Sequence, residues 1–244
     1  MWRIFKCVLV FAVLHPMAGF ASGPTQSKKI AVSGNSYACE EFGELVVKPA
    51  GFQATMFAGI PIPIEDFPTF RAIVFSERDE SALRAGSEWT PEDLESIENY
   101  VKSGGTIVFC RYGISTVLPN RSLGNWSQLT GFASYPDAGN EGQVELTSDG
   151  LALLGKESAK KPVDTSWAFG ATPIAEGITS AEELAILTGA DGTGPKAFIT
   201  RHKIGDGQVF FVGTSLNSLS RNQAQPDSLA SLASFFEATL TAPR

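Results

Sequence analysis

Short apolar runs alternate along this chain with longer amphipathic stretches. After a polar leader (22–27), "KKIAVSG" (28–34) reads as a first strand ending in Ser33-Gly34-Asn35. A helix is expected from Ser36 through "YACEEFGELVV", weakened at Gly43 by up to ~1 kcal/mol. "FQATMFA" (52–58) predicts a second strand, whereas "GIPIPIEDFPTF" (59–70) is proline-punctuated and cannot lie inside a sheet. "RAIVFS" (71–76) is apolar without alternation, the pattern of a strand covered on both faces in a parallel sheet.

The clearest helix is "TPEDLESIENYVKSGG" (90–105). Thr90 is a suitable N-cap, Pro91 suits the first helical position, and Asp93 completes a capping pattern. Leu94, Ile97 and Val101 form one apolar stripe, and Gly104 stands where a left-handed cap would end the helix. "TIVFC" (106–110) follows at once as a strand. Strand, helix and strand with short joins make a parallel unit with a right-handed crossover. Further on, "NWSQLTGF" (125–132) suggests a short helix, and "GQVELTS" (142–148) and "LAILT" within 181–189 suggest strands. "PKAFITRHKIGDGQVFFVGTS" (195–215) reads as a hairpin around Gly205-Asp206-Gly207, and "DSLASLASFFEATL" (227–240) as a closing amphipathic helix.

These elements predict an α/β fold: a doubly wound, flavodoxin-like, mostly parallel sheet flanked by helices, with an antiparallel hairpin extension late in the chain. Ligands of such sheets bind beyond the carboxyl ends of the central strands. The candidate ligand-binding rim is therefore Asn35, Glu77, Cys110, Arg111, Tyr112, Thr214 and Asn217. Glu77 and Arg78 open the run "SERDE", whose other reading is a solvated loop.

The first residues stand apart from this pattern. "MWRIFK" is basic, "CVLVFAVL" (7–14) is a short apolar run, and "AGFAS" supplies small residues around a cut after Ala21. That is the layout of a secretory signal peptide (1–21). A membrane anchor would need about 20 apolar residues, and Pro16 interrupts this run early. The expectation is an exported protein, periplasmic or extracellular, without a stable membrane anchor after cleavage. A single domain would then span 28–244. Cleavage lowers the 19 lysines and arginines to 17 against 26 acids, a net charge of −9. No basic stripe remains, so nucleic acid is not an expected partner. Two cysteines, Cys39 and Cys110, and one histidine, His202, survive processing; they form no metal-ligand cluster, and no cofactor is expected.

Two segments carry a family resemblance. "TPEDLESIENYVKSGGTIVF" is similar to the helix–Gly-Gly–strand that precedes the nucleophile elbow of the class I glutamine amidotransferase-like superfamily, and "AFITRHKIGDGQVFFVGTSL" resembles its late hairpin. The flavour is that of the trehalose-utilisation (ThuA)-like proteins and of the trimerisation domain of some β-galactosidases. In catalytic members the elbow reads Gly-x-Cys-x-Gly, and a later strand delivers a histidine followed by glutamate. The resemblance maps Cys110 onto the nucleophile, with Val108 in place of the first glycine and Gly113 one residue late. Where the histidine and glutamate belong, the chain reads "GTSLNS" (213–218), and His202 lies in the hairpin instead.

Cys110 therefore has competing readings: a buried core residue, a disulfide with Cys39 permitted by export, a relic of an ancestral elbow, or a thiol nucleophile with an unconventional partner. Arg111 could lower the thiol pKa but cannot shuttle protons at neutral pH. Tyr112 and Trp167 are candidates for stacking on a sugar. Asn120-Arg121-Ser122 and Asn125-Trp126-Ser127 match the N-glycosylation acceptor. The signal-peptide layout and the missing histidine and glutamate lead to the expectation of an exported, non-catalytic domain with a binding or assembly role; the resemblance implies a carbohydrate-related context, with a carbohydrate or protein partner and homo-oligomerisation in view. The competing expectation is a cysteine-dependent hydrolase or amidotransferase-like enzyme using Cys110.

Overall fold

The structure is a computed structural model that describes residues 27–138, 142–154, 163–164, 172–189, 194–221 and 226–241. The expected signal peptide (1–21), most of the polar leader and Trp167 lie outside the described residues.

The first half runs β1 (Lys29–Gly34), α1 (Ser36–Phe42), β2 (Gln53–Ala58), β3 (Ala72–Phe75), α2 (Glu80–Arg84), α3 (Leu94–Lys102) and β4 (Thr106–Cys110). The second half runs α4 (Ser127–Thr130), β5 (Phe132–Ser134), β6 (Gly142–Leu146), α5 (Ser148–Leu154), β7 (Val163–Asp164) and β8 (Glu176–Ile178). It closes with β9 (Glu182–Gly189), β10 (Lys196–Ile204), β11 (Gly207–Val212), α6 (Leu216–Arg221) and α7 (Pro226–Thr241).

One sheet has the order β2-β1-β3-β4-β11-β10-β9-β6-β7. The first five strands are parallel, in the 2-1-3-4-5 arrangement of flavodoxin-like folds. From β11 onward every pairing is antiparallel, so the extension holds four strands where the sequence suggested a hairpin. β5 and β8 form a separate two-stranded sheet.

The unbroken apolar runs of the parallel strands follow from helices on both faces. Ile30, Val32, Val74, Val108, Cys110, Phe210 and Val212 enter one layer with Phe42 and Phe236. Their alternate neighbours Ala31, Ile73, Phe75, Ile107, Phe109, Val209 and Phe211 enter the other with Ile97 and Tyr100. Phe42 and Phe236 meet at 5.0 Å between ring centroids, which docks α7 against α1.

Local signals hold where they were strong. The Thr90 amide and hydroxyl both donate to Asp93 Oδ2, at 2.7 and 2.8 Å, and Gly104 turns the chain out of α3 at φ 100°. The helix from Ser36 is continuous to Val47, but it changes at Gly43 to a π-helical turn. "SERDE" is not a solvated loop. Glu77 and Asp79 are both buried, and Asp79 caps α2 by accepting from the amides of Ser81 and Ala82 at 3.0 and 3.1 Å. Asp79 Oδ2 also takes the Gly59 amide at 2.6 Å, which ties α2 to the end of β2.

Candidate functional site

The carboxyl ends of β1, β3, β4 and β11 lie side by side, so the rim residues read from the sequence do converge on one edge of the sheet. Asn35 is committed to structure: its Oδ1 accepts from the Ala38 amide at 3.1 Å and caps α1. At the switch point between β1 and β3, the Ser33 carbonyl accepts from both the amide and the hydroxyl of Ser76, at 2.8 and 2.9 Å. Gly34 leaves no room there; a Cβ on it would stand 2.5 Å from Ser76 Oγ.

The elbow after β4 sits one residue later than the family motif suggested. Among the described residues, Arg111 is the non-glycine residue with positive φ, at 49°. A left-handed backbone at the residue leaving a central strand is the strained strand-to-helix turn on which catalytic relatives of this architecture mount their nucleophile. Counted from Arg111, Gly113 falls two residues on, the spacing of the motif, and Phe109 stands where its first glycine would. Gly113 is required by close approach: a Cβ would lie 2.1 Å from the Phe75 carbonyl oxygen. The left-handed turn after β4 is thus held by an arginine.

Cys110, the last residue of β4, points into the apolar layer between Val108 and Val212 and is 0% exposed. Burial, with a smaller contribution from the Glu77 carboxylate, pushes its thiol well above the usual range, so it stays protonated. Cys39 lies in the same layer on α1, and its thiol donates toward the carbonyls of Val32 and Gly34 at 3.4 and 3.5 Å. Burial lifts the Cys39 pKa to about 11. Both cysteines are free, which corrects the disulfide reading. Cys39 is held over β1, and β3 separates β1 from β4, a gap of roughly 9–10 Å between strand axes.

Glu77 anchors the rim and is 7% exposed. Its Oε2 accepts from Ser215 Oγ at 2.6 Å and lies 3.6 Å from the Arg111 guanidinium. Ser215 in turn accepts from the Ser218 amide at 3.1 Å, capping the first turn of α6. After β11 the chain therefore carries a fully buried serine bound at both ends. Thr214 and Asn217 are buried beside it, and Thr214 Oγ1 finds no hydrogen-bond partner among the described residues.

Tyr112 leads a second network. Its hydroxyl donates to Asp137 Oδ1 at 2.7 Å, and Asp137 Oδ2 receives Arg121 at 2.8 Å. The guanidiniums of Arg111 and Arg121 lie over the Tyr112 ring, 5.2 and 5.8 Å from its centroid. The ring that was a candidate for stacking on a sugar thus already carries two cations. Burial and the bond to Asp137 both push the phenol pKa up. His202 is far from the rim. It pairs with Val209 rather than with the end of β11, its Nδ1 lies 3.0 Å from the Leu129 carbonyl, and its Nε2 lies 3.0 Å from Ser180 Oγ. Since a carbonyl only accepts, Nδ1 is the donor to Leu129. Among the described residues no group of three or more metal-ligating side chains comes together.

Two features escaped the sequence reading: the Glu77–Ser215 bond and the Tyr112–Asp137–Arg121 network. The first joins residues 138 positions apart, and no local pattern signals it. For the second, a hint existed in the two arginines flanking a tyrosine.

No protein-family model matches the sequence, and no curated protein matches it. Solved structures share the fold at low identity. An exo-β-1,4-mannosidase from Opitutaceae bacterium strain TAV5 is 17% identical with a TM-score of 0.53, over 90% of this chain and 36% of its own. A β-galactosidase from the haloarchaeon Halorubrum lacusprofundi is 16% identical with a TM-score of 0.50, over 88% of this chain and 30% of its own. The cytoplasmic protein STM1381 of Salmonella typhimurium LT2 is 11% identical with a TM-score of 0.55, over 85% of this chain and 98% of its own. The chain thus spans about a third of the length of the two glycosidases, and nearly the whole of the Salmonella protein.

Proposed function

We propose that the chain is an exported, non-catalytic domain of the glutamine amidotransferase-like fold that acts in binding or assembly in a carbohydrate-related setting. One observation carries the reading: the elbow that would present a nucleophile presents Arg111 beside buried Glu77, and Glu77 is itself bound to Ser215. An arginine at this place stays charged at any physiological pH and can neither attack nor relay a proton. The neighbouring thiol, Cys110, is sealed in the core and protonated, so it lacks the thiolate that nucleophilic catalysis needs. The carbohydrate setting is supported by the same fold occurring within a mannosidase and a β-galactosidase. Export is supported by the basic, apolar and small-residue order of residues 1–21.

The test is a turnover assay of the purified chain on chromogenic ester, amide and glycoside substrates, with manno- and galacto-oligosaccharide binding measured by calorimetry. The expected result is no turnover on any substrate. Turnover that Cys110→Ser abolishes, while the variant keeps its wild-type circular dichroism, overturns the reading in favour of the thiol enzyme.

A further inference from the structure

The rim is filled by its own ion pairs, and the exposed apolar surface lies elsewhere. Among the described residues, the large hydrophobic side chains that stand exposed are Tyr37 (68%), Ile60 (53%), Leu45, Met56 and Leu151. All but Leu151 belong to α1, its π-helical continuation, β2 or the turn just after β2. Met56 leans on this helix: a Cβ on Gly43 would meet Met56 Cε at 2.6 Å.

β2 is also an open sheet edge. Among the described residues it pairs only with β1. The Gln53 amide donates to the Lys28 carbonyl at 2.8 Å. In a parallel ladder this turns Gln53, Thr55 and Phe57 toward β1 and the backbone groups of Ala54, Met56 and Ala58 outward. Ala54 packs on one core layer and Phe57 on the other, so the strand is held in place from both faces. Natural edges of this length usually carry a lysine, a proline or an inward charge to prevent pairing. "QATMFA" carries none, and residues 49–64 contain no charged side chain at all.

We propose that β2 is a homodimer interface in which two copies pair their β2 strands antiparallel about a two-fold axis through Met56, making one continuous sheet. Charge permits this occupant. Copies of an acidic chain, net −7 overall, repel wherever their carboxylates face, and the strand itself is neutral; of the carboxylates Glu40, Glu41 and Glu44 on the helix beside it, Glu44 is paired with Lys48. A strongly basic or acidic partner would find no complementary charge on the strand. The register is self-complementary. Met56 faces Met56 of the second copy, and Ala54 faces Ala58 in both directions, so all three outward residues form hydrogen-bonded pairs with small flanking side chains.

The inference deepens the assembly role proposed above and rests on it, yet the two fail separately. Turnover at the rim would sink the proposed function and leave the dimer standing; a monomer would sink the dimer and leave the rim unchanged. The experiment is sedimentation velocity on the full chain, with Met56→Lys and Ala58→Lys as interface variants and Met56→Cys as a cross-linking variant. A dimer is expected, its dissociation constant raised at least about tenfold by Met56→Lys, which sets like charges opposite each other. Ala58→Lys, on a small exposed side chain, keeps the test meaningful if Met56→Lys disturbs the fold. Met56→Cys should cross-link its own dimer under mild oxidation, because directly opposed residues lie within disulfide reach. A monomer overturns the proposal, whether the β2 amides exchange freely or are shielded by another segment of the chain. So does a trimer, or a dimer that ignores both lysines and fails to cross-link.

Discussion

Replacing Arg111 by glycine and by alanine tests the elbow directly. Both substitutions remove the guanidinium and its approach to Glu77, so that loss cancels between them. What remains is the backbone at φ 49°. A left-handed conformation costs a residue with a Cβ roughly 1–2 kcal/mol and costs glycine nothing comparable. Glycine gives back about 0.5–1 kcal/mol through the greater freedom of its unfolded chain. Arg111→Gly should therefore be more stable than Arg111→Ala by about 0.5–1 kcal/mol, the reverse of the order at an ordinary position. With a urea m-value near 2 kcal/mol/M, this is a difference of about 0.3–0.5 M in unfolding midpoint, readable by tryptophan fluorescence. An alanine variant as stable as the glycine variant, or more so, refutes the reasoning. It would mean that Arg111 is not left-handed.

Three further outcomes are expected. Cys39 and Cys110 should resist alkylation in native protein at pH 8 and react once urea unfolds it; rapid native labelling would contradict their burial. Because their folded pKa values are raised, to about 11 for Cys39, the unfolded state loses these protons first. Stability should then be constant below about pH 8.5 and fall as pH rises toward 11, by at most ~1.4 kcal/mol per pH unit per thiol. Urea melts across that range should show a shallower slope for Cys39→Ala. Gly113→Ala forces a methyl group to within 2.1 Å of the Phe75 carbonyl and should cost about 3 kcal/mol; a drop in thermal midpoint of only a degree or two would show that β3 and the elbow are not so closely packed.

Much of the architecture was legible in the residue pattern because it depends on local physics. The unbroken apolar runs of β3 and β4 required cover on both faces, and Thr90, Asp93 and Gly104 marked both ends of the α3 segment by groups that satisfy backbone atoms in place. The antiparallel extension was only half visible. β6 and β9 show as apolar runs, but their neighbours across the sheet depend on pairings made between distant segments. The residues of the candidate rim share one edge, since the carboxyl ends of neighbouring parallel strands must lie side by side.

Its chemistry was not legible. Whether Cys110 or Arg111 is the elbow turns on one backbone dihedral, and a residue other than glycine carries no mark of being held left-handed. Gly113 lies three residues beyond the cysteine but two beyond the arginine, and Phe109 rather than a glycine stands two before it. "SERDE" has the composition of a solvated loop, and only the fold brings Ser215 across 138 residues to bind Glu77 and Thr116 to meet the Asp79 amide. The two cysteines allowed a bond on paper, but the chain path set Cys39 over β1 and buried Cys110 in β4, with β3 between them. Sequence determined the layers and the edge where a site would lie, through periodicity and capping. Tertiary structure decided which residue stands on the turn and what neutralises it, because strain and burial belong to contacts between segments far apart in the chain.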